Sequence, residues 1–211
     1  FRLSDSAGED GAIQWLPAEG ARWRVLPAPG DRLPGTFDQD VWIGLLRLWG
    51  DAGLPDDGVV TFTLHAFLRL LGRRADGRTY EQLRAALARL ERTTLEATGG
   101  AYAAGDDGAP APGATLRFTL LASVVIERRR PAGLADQLAL FPELAAGEPG
   151  DARVVLAPAV RANVAAGRTV ALGWARYQQI ASPVGRRVYR LLAALAPARG
   201  GGTHEAPLDR W

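Results

Sequence analysis

The chain has 211 residues, 47% of them apolar, enough to fill one large folded domain or two small ones. All 25 basic side chains are arginine, and a formal net charge of +2 is too small to specify a polyanionic partner by itself. With no cysteine, disulfides, thiolate catalysis and zinc fingers are excluded; with no lysine, so is the lysine-bearing phosphate loop.

Residues 1–36 are rich in Gly, Pro and acidic residues, with Ile13, Trp15, Leu16, Trp23, Val25 and Leu26 as separate apolar anchors. They read as an irregular arm with short strands around Trp15 and over 23–26. A helix follows, with Asp38 as N-cap and a stripe of Val41, Leu45 and Leu48; Gly50, Gly53 and Pro55 end it. Val59-Val60-Thr61-Phe62 is a short β-branched strand after an Asp-Asp-Gly turn. Thr63 caps a second helix that buries Leu64, Phe67, Leu68 and Leu71 and closes at Gly72.

Past the turn 73–78, Thr79 is the expected cap of a third helix, with Tyr80, Leu83, Leu87 and Leu90 on one face. A hairpin comes next, from 93–98 through a loop holding Asp106-Asp107 to one long strand over 114–127. Helix, strand, helix, tight turn, helix and hairpin is the order of a winged helix-turn-helix. Further on, 153–156 reads as a strand, 158–165 as a short helix and 169–173 as a strand, with a helix over 173–180. Ser182-Pro183 opens an amphipathic helix carrying Val184, Val188, Leu191, Leu192 and Leu195.

The predicted fold is therefore α+β: an arm over 1–36, a winged-helix domain over 37–130, and a smaller α/β segment over 131–211 that opens a second winged helix. The absence of Met and the elements at both ends make a fragment of a longer protein the expectation. No apolar run approaches the roughly 18 residues that cross a bilayer, so a cytoplasmic protein without membrane contact is expected.

Catalysis finds little support. The two histidines, His65 and His204, are far apart, and no His-x-His pair occurs. The acid pairs Asp38/Asp40, Asp56/Asp57 and Asp106/Asp107 fall at a helix start, a turn and a loop tip, where Asp has ordinary capping uses. No catalytic residue, metal site or cofactor is expected.

Where charge is concentrated is more telling. In a helix-turn-helix the second helix of the pair enters the major groove. A step of about 100° per residue turns Glu81, Ala85, Ala88 and Arg92 outward, with Gln82 and Arg89 on one shoulder and Arg84 on the other. Arg and Gln suit guanine and adenine edges, and small alanines permit close approach. Arg73, Arg74 and Arg78 in the turn suit phosphate, as does the helix start at Thr79. Arg117 and Arg128, the latter opening the run Arg128-Arg129-Arg130, are further phosphate candidates, whereas the acidic tip Asp106-Asp107 would repel DNA. Arg186, Arg187 and Arg190 lie opposite the apolar stripe of the last helix. The competing reading of all these arginines is a solvated surface in an arginine-biased composition.

The stretches Phe37-Asp38-Gln39-Asp40-Val41-Trp42, Val60-Thr61-Phe62-Thr63, Leu71-Gly72 and Tyr80-Glu81-Gln82-Leu83-Arg84-Ala85-Ala86-Leu87 resemble the first winged helix of theta-type plasmid replication initiators, nearest to the replication initiator protein A family. Ser182-Pro183-Val184-Gly185-Arg186-Arg187 resembles the helix that opens their later part. The resemblance implies an initiator that binds repeated double-stranded DNA sites at an origin, helps to open the duplex and recruits the host helicase or its loader. It also implies a homodimer, with the first winged helix contributing to dimerisation. A winged-helix transcriptional regulator and a winged-helix protein-interaction module remain the alternatives.

Overall fold

Strand pairing, more than strand placement, decides this architecture. The structure, a computed structural model, describes residues 11–18, 21–98, 114–127 and 151–199. Strands β1 (Ile13–Ala18) and β2 (Ala21–Leu26) pair antiparallel, as the two apolar clusters of the arm suggest. The arm is not isolated, however. Strand β2 also pairs with β4 (Thr94–Thr98), and β4 with β5 (Thr115–Phe118), giving a four-stranded sheet in the order β1-β2-β4-β5.

Helix α1 (Thr36–Asp51) starts two residues before the expected cap. Asp38 stands inside the first turn, and its Oδ2 accepts a 2.6 Å hydrogen bond from the Gly35 amide. The helix buries Val41, Leu45 and Trp49, and Gly44 lets α2 (Leu64–Leu70) approach closely. A Cβ at Gly44 would lie 2.8 Å from Leu71 and 3.0 Å from Phe67. Strand β3 (Val59–Thr63) leads into α2, whose Ala66 amide donates to the Thr63 hydroxyl at 3.0 Å, the cap read from the sequence. Gly72, at φ +67°, reverses the chain after α2: its amide donates to the Arg69 carbonyl, and that of Arg73 to Leu68. This left-handed residue, cheap only for glycine, brings α3 (Gly77–Arg92) back across α2 within a few residues.

The strand expected over 114–127 is two strands. It breaks at Thr119-Leu120, so that β5 stays with β4 while β6 (Leu121–Glu127) joins a second sheet. There β7 (Asp151–Leu156) lies between β3 and β6, with Val60 opposite Val154 and Leu121 opposite Leu156. The core-forming element order is thus α1, β3, α2, α3, β6, β7, with a sheet in the order β3-β7-β6. This is winged-helix topology, with the four-stranded sheet's β4 and β5 inserted after α3. Strands β6 and β7 are the pair that would flank a wing, and residues 128–150 between them lie outside the described residues. The wing expected after α3, tipped by Asp106-Asp107, instead joins β4 to β5 in the other sheet; its tip also lies outside the described residues.

The core gathers Leu64, Phe67, Leu68, Leu83, Leu87, Leu90, Leu121, Val154 and Leu156. Helix α4 (Pro158–Ala165), with proline at its start as expected, adds Val160. One compact unit spans residues 1–167 and another 168–211, so the boundary expected at 130/131 falls after α4. In the second unit the strand expected over 169–173 has no regular structure, and the described elements are two helices, α5 (Trp174–Gln179) and α6 (Pro183–Arg199). Ser182 caps α6 through the Gly185 amide at 3.3 Å. Contrary to the expected stripe, Val184 and Leu192 are exposed, while Arg186 donates to the Ile180 carbonyl at 2.8 Å and covers the Tyr177 ring.

Candidate nucleic-acid interface

Helix α3 lies over α1, α2 and β6 and turns its opposite side to solvent. Tyr80, Leu83, Ala86, Leu87 and Leu90 are buried; Arg78, Glu81, Gln82, Ala85 and Arg92 are exposed. The helical spacing of the leucines therefore predicts the outward side correctly, apart from one shoulder. Arg89 is only 9% exposed. Its Nε and Nη2 donate to Asp38 Oδ1 at 3.1 and 2.7 Å, tying α3 to the first turn of α1. The base-reading role expected for Arg89 is corrected by this geometry: the side chain is long enough to reach a buried carboxylate, and a buried carboxylate requires a cation.

The remaining cations differ in how freely they meet solvent. Arg78 is exposed and has no side-chain partner among the described residues. Arg74 is almost fully exposed, its Nε 3.8 Å from Asp76. Arg73 is half-exposed, donates to Asp40 at 3.1 Å and lies over the Phe37 ring. Arg84 is folded against Glu81, and Arg92 donates to Asp31 at 3.0 Å. Arg92 also sits fourteen residues beyond Arg78, about 21 Å along the helix. Arg74, Arg78, Gln82 and Ala85 therefore form the compact part of the surface, with Arg73 behind them. Arg117 belongs to β5 of the four-stranded sheet, where it and Arg24 flank buried Glu96 at 2.6 and 3.0 Å, so it is not part of the wing. Arg128 lies outside the described residues.

The start of α3 is not an open anion site. Asp76, not Thr79, is the N-cap: its Oδ1 accepts from the Thr79 amide at 2.9 Å, and the Asp76 amide donates to the Thr79 hydroxyl at 3.1 Å. The first-turn amide expected to hold phosphate is thus already met by a carboxylate. Either residue could cap from sequence alone, since both are good N-caps three positions apart.

Hydrogen bonds from the Thr79 hydroxyl and amide, helped by Arg74 and the Arg78 amide against a small desolvation, hold the Asp76 carboxyl below its usual 3.8. A depressed folded value stabilises the protein above the unfolded pKa, and that contribution is lost as pH falls through the folded value. Asp76→Ala is accordingly expected to lower the urea midpoint at neutral pH. Its difference from the wild-type chain should close as pH is taken below about 4. A difference that stays constant into acid would remove the carboxylate from the cap.

Sequence reasoning passed over His65 and Arg69, which line one shallow groove with Arg73, Arg74 and Ala75. Their four-residue spacing on an exposed helix face was the available signal, but an isolated histidine gave no reason to pair them.

Taken together, the element order and the sheet topology define a winged-helix protein of the α+β class. The chain belongs to the replication initiator protein A family, whose model matches residues 1–108. Membership places it among replication initiators. The fold is similar to two crystal structures of domains 2 and 3 of RctB. A selenomethionine derivative is 14% identical with a TM-score of 0.56, over 93% of this chain and 67% of that one. The second structure is 13% identical with a TM-score of 0.57, over 92% and 65%. The chain thus spans about two thirds of the length of each. No curated protein matches it. Among the described residues no helix is long and apolar enough to cross a membrane.

Proposed function

We propose that this chain binds repeated double-stranded DNA sites at the origin of a plasmid or secondary replicon and initiates theta-type replication there. In this reading it acts in the cytoplasm, at the nucleoid, as a non-catalytic protein that helps to open the duplex and recruits the host helicase or its loader. The observation that carries the reading is the outer side of α3, where Arg78, Gln82 and Ala85 are exposed in succession beside Arg74. Gln82 suits an adenine edge, Ala85 permits close approach, and the two arginines hold phosphates on either side. The sequence that follows β6 opens with Arg128-Arg129-Arg130, whose charge suits a second backbone contact. The acidic pair Asp106-Asp107 falls between β4 and β5 in sequence, not between β6 and β7.

A homodimer is part of the proposal. One side of the four-stranded sheet carries Ile13, Trp23, Val25, Leu95, Leu116 and Phe118, each only half-buried, which suits self-association. A transcriptional regulator would use the same helix, so the test must ask where the protein binds. Fragments of the host replicon retained by the protein should carry direct repeats beside the origin, with two chains on each binding unit. Gln82→Ala should cost about 1–3 kcal/mol at a single base position and little elsewhere. Retention of promoter fragments alone would favour the regulator, and binding that ignores salt would end the DNA reading, because each neutralised phosphate contributes about −0.9 to the log–log slope.

A further inference from the structure

The groove beside the α2–α3 turn holds more donors than the fold uses. His65 and Arg69 stand one helical turn apart on the exposed side of α2, and Gly72 folds the chain so that Arg73, Arg74 and Ala75 form the opposite wall. Arg73 is anchored by Asp40, and Arg74 is loosely placed near Asp76. Arg69 has no side-chain partner among the described residues.

The histidine is set by its neighbour. Tyr80 is buried in the first turns of α3, and its phenolic oxygen lies 3.1 Å from His65 Nδ1. With Nδ1 engaged by the phenol, Nε2 is the ring nitrogen left for a ligand in the groove that His65 lines, and it has no partner among the described residues. The same contact fixes the groove against the start of α3, next to Arg78. Three guanidiniums and an imidazole line one concavity, with Asp40 and Asp76 as the carboxylates paired to them among the described residues, a set that matches a tetrahedral dianion or phosphodiester better than a cationic ligand.

We propose that this groove is a phosphate-binding site that grips the DNA backbone where it flanks the major groove occupied by α3, with His65 and Arg69 as its position-fixing donors. The proposal rests on the DNA-binding reading above and assigns no sequence preference to these residues. It separates two duties on adjacent surfaces: Gln82 reads, and the α2 groove holds.

The test is the binding of the full chain to an origin repeat and to a scrambled duplex across a salt series. Arg69→Ala should weaken both duplexes equally and reduce the steepness of the log–log salt plot by about 0.9. His65→Ala should weaken both duplexes equally. His65→Gln, which keeps an N–H donor at similar reach, should restore most of the loss. If the wild-type chain binds DNA with normal salt dependence and Arg69→Ala leaves affinity and slope unchanged, the groove proposal is overturned while the DNA reading stands. If the wild-type chain binds no duplex, the DNA reading fails first. Inorganic phosphate at constant ionic strength separates the sources: phosphate-induced shifts of the His65 ring signals, lost in Arg69→Ala without any change in DNA affinity, would make this a free-anion site and overturn its assignment to the backbone.

Discussion

A chain ending at residue 130 is expected to show no cooperative unfolding, whereas one ending at 167 should melt in a single sharp transition. The shorter chain contains every element that local sequence signals assign to a winged helix. It lacks β7, the middle strand of the sheet in the order β3-β7-β6. Without β7, strands β3 and β6 lose their common partner, and each is left with a free edge over the α2–α3 core. Ala152, Val154, Leu156, Ala157 and Val160, all nearly inaccessible in the intact unit, are removed with it. Each large apolar side chain so lost forfeits about 1.5–3 kcal/mol of burial, and the side chains they covered are exposed in turn. Against a typical total stability of about 5–15 kcal/mol, the deficit leaves no folded state to melt. Circular dichroism against temperature distinguishes the two outcomes. Cooperative melting by the shorter chain would mean that β4, β5 and β6 can form the winged-helix sheet alone, as the sequence order suggests.

That contrast shows what local signals carry. The run from α1 to α3 is legible because each element announces itself within a dozen residues: a leucine stripe at helical spacing, a Thr63 cap, a β-branched run, Gly72 after α2. Partner choice is not local. Nothing within 94–98 states that β2, some seventy residues earlier, pairs with it at Arg24 and Glu96. Nothing in 114–127 states that Thr119 turns the strand from one sheet to the other, because a strand-forming run crosses the break with no proline or glycine to mark it, and either edge satisfies the backbone. The arginines divide along the same line. Arg78 and Arg74 are set by the helix and turn they sit in and come out on the surface as expected. The fates of Arg89 and Arg117 depend on carboxylates 51 and 21 residues away in sequence. Their pairing belongs to the tertiary structure.

For Arg89 this difference has a measurable consequence. Arg89→Ala should destabilise the protein by about 3–5 kcal/mol, the range for breaking a buried ion pair from one side. The larger part of that loss comes from Asp38, which is 1% exposed and keeps only the Gly35 amide on its other oxygen once the guanidinium is gone. Arg89→Met, which restores the volume but not the charge, should recover little. Adding Asp38→Asn to Arg89→Met should recover more, because the amide oxygen can still accept from Gly35 while no unpaired charge stays buried. The double-mutant cycle then gives a coupling between the two sites well above the few tenths of a kcal/mol seen for exposed pairs. Denaturant midpoints of the four proteins suffice to measure it. Since Asp38 stands in the first turn of α1 and Arg89 in the last turns of α3, the pair also fixes the angle at which α3 presents Arg78 and Gln82. The double variant should therefore retain the fold yet bind all duplexes less tightly. An Arg89→Ala protein with an unchanged midpoint and a defect confined to one base pair would place the guanidinium back on DNA.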